Sequence, residues 1–170
     1  FNSILSISKV ESGTSDLDRN LVSLKELILN MHELYEPIAD SDGIKLNYEV
    51  NEDIVINGNY NLLSQALANL IENAINYGCS NNKPSINVGA KKNENLLSIW
   101  VSDNGIGIKE TDKDKVLERF VRLDASRSLK GSGLGLSLVN SAVKFHEGSL
   151  KLINAKPSGL IVLIEIPIDS

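Results

Sequence analysis

The chain has 170 residues, 42% of them hydrophobic, and 17 basic against 22 acidic side chains give it a formal net charge of -5. That length supplies one real core and argues against two. The acidic balance argues against wide non-specific contact with nucleic acid or anionic lipid, but it leaves room for an anionic ligand held by backbone N–H groups and a local cation.

In chain order, FNSILSISKVESG (1–13) spaces Phe1, Ile4, Leu5 and Val10 loosely as a helix does and reads as the stub of a helix that begins upstream. Residues 14–22 are polar and linker-like. Ser23, with Glu26 three residues on, is a helix N-cap, and the helix predicted over about 24–40 carries Leu27, Ile28, Met31, Leu34, Tyr35 and Ile38 on one stripe. The alternation in IKLNYEV (44–50) predicts a half-buried strand, with Val55 and Ile56 a possible second. Asn59 caps a helix over about 60–77 whose Leu62, Leu63, Ala66, Leu67, Leu70, Ile71 and Ala74 face the core. Strands follow at about 85–91 and 95–102, joined by a hairpin turn at Lys92-Asn93-Glu94. Beyond them lie a short helix near 113–120, a polar lid-like segment at 121–132, a helix over about 134–146, and strands at 149–154 and 159–167. The expected fold class is α+β, a two-layer sandwich of a mixed, mostly antiparallel sheet with helices packed on one face.

Cys79 is the sole cysteine, which excludes an intramolecular disulfide and a thiolate metal cluster. No apolar run approaches the roughly 20 residues of a membrane span, and Phe1 opens no signal peptide. These residues read as cytoplasmic, with a membrane anchor upstream left open.

Three segments carry chemistry. NLIENAINY (69–77) sets Asn69, Asn73 and Asn76 on one helix face by their three- and four-residue spacing, with Glu72 between them. Carboxamide oxygens suit Mg²⁺ and the amide nitrogens can donate to phosphate; taken alone, the same pattern also fits asparagines on an unliganded helix surface. DNGIGI (103–108) follows a strand directly. Gly105 and Gly107 permit a tight turn and close approach by a planar ligand, and Asp103 offers an acceptor suited to an amino group such as that of adenine. GSGLGLSLVNSAV (131–143) opens a helix with Gly131, Gly133 and Gly135, a phosphate cradle in principle. It lacks the Gly-Lys-Ser/Thr ending of a P-loop and the preceding strand of a dinucleotide site.

In this order the segments resemble the ATP-binding domain of sensor histidine kinases, of the Bergerat-type ATPase/kinase superfamily. The asparagine helix matches their N box, DNGIG their G1 box, LERFVRLD (117–124) with Phe120 their F box, and GSGLGLSLV with Leu134 their G2 box. KVESG (9–13), 58–77 and HEGSL (146–150) extend the likeness over nearly the whole chain. The resemblance implies residues 1–13 as the end of a dimerisation helix, 14–22 as linker and 23–170 as the ATP-binding catalytic domain. It implies ATP and Mg²⁺ as cofactors, with Asn73 the metal ligand and Asn69 supporting the metal–phosphate arrangement. Asn76 would touch phosphate, Tyr77 would pack on the nucleotide, and Asp103 would accept from adenine beside Gly105 and Gly107. Gly131, Gly133, Leu134 and Gly135 would wrap the triphosphate, with Arg127 or Lys130 reaching its end and Arg119 and Arg122 as further candidates.

Glu72 has two readings, activating water as in related ATPases or helping to polarise an attacking histidine, and the second is favoured. His32 and His146 read as satisfied or solvated, so the phosphoacceptor is expected upstream. The expected partners are ATP, an upstream dimerisation and phosphoacceptor domain and a response-regulator receiver domain, with no nucleic acid. The isolated domain is expected to be a monomer and the full-length protein a homodimer. The competing readings are a gyrase- or chaperone-like ATPase and a nucleotide-insensitive interaction module.

Overall fold

A computed structural model of the chain describes residues 18–77, 82–121 and 132–168, with backbone alone for residues 77, 117–121 and 132–137. The expected stub at 1–13, residues 14–17 of the linker and most of the lid-like segment therefore lie outside the described residues.

Strands β1 (Asn20–Ser23) and β3 (Val55–Gly58) pair antiparallel as a small sheet of their own. The main sheet has five strands: β2 (Lys45–Glu49), β4 (Ser85–Asn93), β5 (Leu96–Asp103), β6 (Ser149–Asn154) and β7 (Leu160–Pro167). Their spatial order is β2-β4-β5-β7-β6, with β2 parallel to β4 and every other pairing antiparallel. Helices α1 (Leu24–Ser41), α2 (Tyr60–Tyr77), α3 (Glu110–Val121) and α4 (Ser132–Phe145) complete the fold. The layer is built by α1 on β2 and β4, α2 on β4 and β5, and α4 against α2, α3 and β6. This is the expected α+β sandwich.

Period-two alternation explains the sheet's inner face, where Ile86, Val88 and Ala90 of β4 meet Leu97, Ile99 and Val101 of β5 and Ile164 and Ile166 of β7. On the opposite face Trp100 stands across from Gly89, where an added Cβ would lie 2.3 Å from the indole. Glycine there lets the ring lie on the sheet. Ser23 caps α1 as its sequence predicts, its side chain accepting from the Glu26 N–H at 3.2 Å. Asn59 caps α2, its Oδ1 accepting from the Leu62 N–H at 2.9 Å.

The structure corrects three expectations. Residues 20–22 form a strand, because their pairing partner lies more than 30 residues away and leaves no local signature. Val55 and Ile56 do form the expected second strand, and it pairs with these residues outside the main sheet. The β4–β5 turn is Glu94-Asn95, with Glu94 in the left-handed region at φ 57°, so β4 runs two residues further than predicted. Leu34 and Ile38 are half exposed, at 55% and 49%, whereas Leu27, Ile28 and Met31 of the same stripe are buried.

His146 is buried and joins two helices. Its Nδ1 donates to the Ala142 carbonyl at 2.7 Å, and its Nε2 accepts from the Asn59 N–H at 3.0 Å. That pattern requires the neutral ring, since a second proton would face the Asn59 N–H. Gly58 admits the ring; a Cβ there would lie 2.8 Å from Nε2. Burial pushes the His146 pKa below 6.5, aided by the Arg19 charge and opposed by the Ala142 bond. The unfolded chain therefore takes up the proton first, so stability is complete above 6.5 and falls as pH drops toward the depressed folded-state value. Urea unfolding at about pH 7.5 and about pH 5.5 should show this loss, and His146→Gln should flatten it. Equal slopes in the two proteins would refute the assignment.

Candidate functional site

Asp103 is the last residue of β5, a strand flanked by β4 and β7. Its Oδ1 accepts from the N–H of Gly105 at 2.9 Å and from that of Leu160 at 3.4 Å. Partial burial raises its pKa above 3.8, and the two N–H bonds work against that rise.

The loop after Asp103 is held from both sides. Toward β4, Asn104 Oδ1 accepts from the Ser85 N–H at 2.9 Å, while its Nδ2 donates to the Lys83 carbonyl at 2.9 Å. Toward the β6–β7 turn, the Asn154 side chain accepts from the Ile108 N–H at 3.1 Å and donates to the Ile108 carbonyl at 2.8 Å. The Ser158 hydroxyl adds a bond to the Asn104 carbonyl at 3.3 Å.

Gly107 has φ 76°, and a Cβ on it would lie 2.8 Å from the Gly159 carbonyl oxygen and 2.9 Å from Asn154 Oδ1. Gly105 is buried, whereas Ile106 is 88% exposed. Asn104, Asn154 and Gly159 were not among the predicted site residues. Asn154 and Gly159 lie about 50 residues downstream of the loop they brace, so nothing within DNGIGI itself points to them.

Helix α2 presents the amides. Asn69 and Asn73 are partly buried, Asn76 is exposed, and Tyr77 ends the helix with only its backbone described. Glu72 is exposed and accepts a short hydrogen bond from the Tyr35 hydroxyl of α1. Burial and the neighbouring carboxylate together push the Tyr35 phenol well above its ordinary value. The carboxylate thus engages α1.

Helix α2 packs on both α4 and β5, so the amide-bearing helix touches the element that opens with the glycines and the strand that ends in Asp103. Gly133, Leu134 and Gly135 lie in the first turn of α4, where N–H groups are left without intrahelical partners. Arg127, Lys130 and Gly131 lie outside the described residues, as does Arg122, and the Arg119 side chain is likewise undescribed.

His32 bonds the Leu46 carbonyl at 2.8 Å and packs edge-on to Tyr48, in a cleft of about 650 Å³ between α1 and β2 that also takes in Glu36 and Asp40. None of the predicted site residues lines that cleft.

A family profile described as histidine kinase-, DNA gyrase B-, and HSP90-like ATPase matches residues 58–170. Among curated relatives, the sensor-like histidine kinase SenX3 of Mycolicibacterium smegmatis is 30% identical over 96% of this chain and 43% of its own length. The autoinducer 2 sensor kinase/phosphatase LuxQ of Vibrio cholerae is 31% identical over 99% of this chain and 20% of its own. The chain thus spans less than half of either relative.

Among solved structures, the catalytic domain of histidine kinase ThkA superposes with a TM-score of 0.75 at 26% identity, covering 89% of this chain and 98% of that one. The mycobacterial sensor histidine kinase MprB gives 0.71 at 27%, covering 88% and 98%. Full-length ShkA in complex with AMPPNP gives 0.80 at 22%, covering 99% and 35%, a likeness of fold. The ordered motifs, the mixed sheet and the profile agree: this chain belongs to the histidine kinase-, DNA gyrase B-, and HSP90-like ATPase family, as the ATP-binding catalytic domain of a sensor histidine kinase.

Proposed function

We propose that this domain binds Mg-ATP and, as part of a longer sensor kinase, presents the γ-phosphoryl group to a histidine upstream, from which it passes to an aspartate of a response-regulator receiver domain. The observation that carries the reading is the half-buried Asp103 acceptor at the end of β5, fixed by two backbone N–H groups in a loop braced on both sides. Asp103 accepts from the adenine amino group, while Gly105 and Gly107 allow the base to lie close to the backbone.

The residues present fit a cation of the Mg²⁺ kind. Among the described residues no cluster of His, Cys, Asp and Glu could hold a metal, whereas Asn73 and Asn69 offer partly buried carboxamides on one face of α2. Asn73 is the proposed ligand and Asn69 its support, with Asn76 donating toward phosphate and Tyr77 packing on the nucleotide. When bound, the cation offsets charge on the phosphoryl oxygens.

Gly131, Gly133, Leu134 and Gly135 bring the opening of α4 against the triphosphate, where free N–H groups and the helix dipole favour anions. Arg127 or Lys130 supplies further positive charge. In the transfer, the bond from γ-phosphorus to the bridging oxygen breaks as a histidine nitrogen bonds to phosphorus, and ADP leaves. Glu72 assists the acceptor histidine. The sensor histidine kinase relatives favour that role over activating water, and with it the kinase over the hydrolysing ATPase.

Residues 1–13 are proposed to end a dimerisation helix, 14–22 to link it and 23–170 to form the catalytic domain, with β1 starting inside that linker. The isolated chain is a proposed monomer that binds ATP without phosphorylating itself. Among the described residues no helix is long and apolar enough to cross a membrane.

Calorimetric titration with a non-hydrolysable ATP analogue, with and without Mg²⁺, tests the reading. Wild type should bind more tightly with the cation, and Asn73→Ala should lose that increment, about tenfold. Indifference to both cation and variant would remove Asn73 as the ligand.

A further inference from the structure

Two adjacent residues ahead of β1 reach two different helices. The Asp18 carbonyl accepts from Asn59 Nδ2 at 2.9 Å, at the N-cap of α2. Arg19 donates from its guanidinium to the Phe145 carbonyl at 2.5 Å and lies over the Phe145 ring, 4.2 Å from its centroid. That carbonyl is one of the last four in α4, which have no partner inside the helix and carry its negative end. A guanidinium placed there satisfies the acceptor and complements the dipole, and the ring face adds a cation–π contact.

The circuit closes between the helices. The Asn59 N–H bonds His146 Nε2, and the Phe145 and His146 rings meet edge-on at 5.1 Å. The start of α2, the end of α4 and the chain entering β1 are therefore joined at one place.

The far ends of both helices carry the proposed nucleotide contacts. Asn73 and Asn76 sit in the last turns of α2, and Gly133 and Gly135 in the first turn of α4. Helix α4 has 14 residues, about 20 Å at 1.5 Å per residue, and a packed helix transmits a tilt along its length. We propose that Arg19 is a positioning residue for nucleotide binding, a latch through which the chain entering β1 sets where the distant ends of α2 and α4 lie. This rests on the nucleotide reading of the preceding section and adds that the bond to Phe145 tunes affinity from the opposite end of the helix layer.

The test compares Arg19→Ala, Arg19→Lys and Phe145→Leu with wild type in the whole 170-residue chain, by titration with the Mg²⁺ complex of a non-hydrolysable ATP analogue and by thermal unfolding. Arg19→Ala should weaken binding about fivefold or more, the range of a modest coupling between sites, and Arg19→Lys should recover part of it. Phe145→Leu keeps the carbonyl and removes the ring, so it should weaken binding less, and the double variant should be no weaker than Arg19→Ala alone.

Wild-type affinity in Arg19→Ala, whatever its unfolding midpoint, overturns the latch and leaves the nucleotide reading intact. If Arg19→Ala does not fold, unchanged affinity in both Arg19→Lys and Phe145→Leu overturns it. A wild-type chain that binds no nucleotide overturns both.

Discussion

Asp103→Asn is expected to weaken ATP binding by about ten- to a hundredfold while leaving the domain at least as stable. The stability side follows from the geometry: Oδ1 takes both backbone bonds, from Gly105 and Leu160, and an asparagine oxygen can take them equally well. The substitution also removes a carboxylate that burial already disfavours, so no stabilising ionic interaction is lost. Binding suffers because the second oxygen becomes an NH₂ group, which meets the adenine amino group donor to donor. A hydrogen bond to a charged group contributes about 1.5–3 kcal/mol, the source of the expected loss. Titration of both proteins with the same ATP analogue checks it, and equal affinities with matching unfolding curves would place the base elsewhere.

Gly159→Ala should be the most disruptive single methyl that can be added in this region. Gly159 has φ 115°, and its added Cβ would lie 1.9 Å from the Asp103 carbonyl oxygen, 2.8 Å from that carbonyl carbon and 2.9 Å from the Asn104 Cα. These neighbours are backbone, so the clash cannot be relieved by swinging a side chain. Either β7 separates from β5 or the Asp103 loop moves, and the Leu160–Asp103 bond is lost with it. A loss of about 3 kcal/mol or more is expected, combining backbone strain with overpacking, together with weakened nucleotide binding.

Gly43→Ala is the control. It has a similar left-handed requirement, φ 73°, but an added Cβ there meets nothing within 4 Å, so only the conformational cost of about 1–2 kcal/mol applies. Denaturant unfolding of the three proteins separates the two terms, and equal losses in both variants would show that crowding at Gly159 is relieved.

What the sequence revealed was what is local. Apolar spacing found α1 and α2 to within a residue, because their buried stripes and the caps at Ser23 and Asn59 lie within a few residues of one another. The same reasoning placed Asn69, Asn73 and Asn76 on one face and set Asp103 at a strand end. It overextended the stripe of α1 to Leu34 and Ile38, since periodicity tells which way a residue points and not whether another element waits there.

It missed β1 because the pairing of Asn20 with Gly58 depends on residues far apart in the chain. Glu72 is the clearest lesson at the site. Its position between asparagines suggested chemistry, but its partner, Tyr35, comes from a different helix and could not be anticipated from NLIENAINY alone. Asn154 was invisible for the same reason: nothing in its neighbourhood hints that it serves Ile108.

A single carboxamide, that of Asn154, answers both backbone groups of Ile108. The turn beyond Asp103 has therefore surrendered most of its conformational entropy before any ligand arrives, and little ordering cost is left to subtract from affinity at that end. If the purine lies there, base analogues are sorted against a rigid template and gain no relief from loop adjustment.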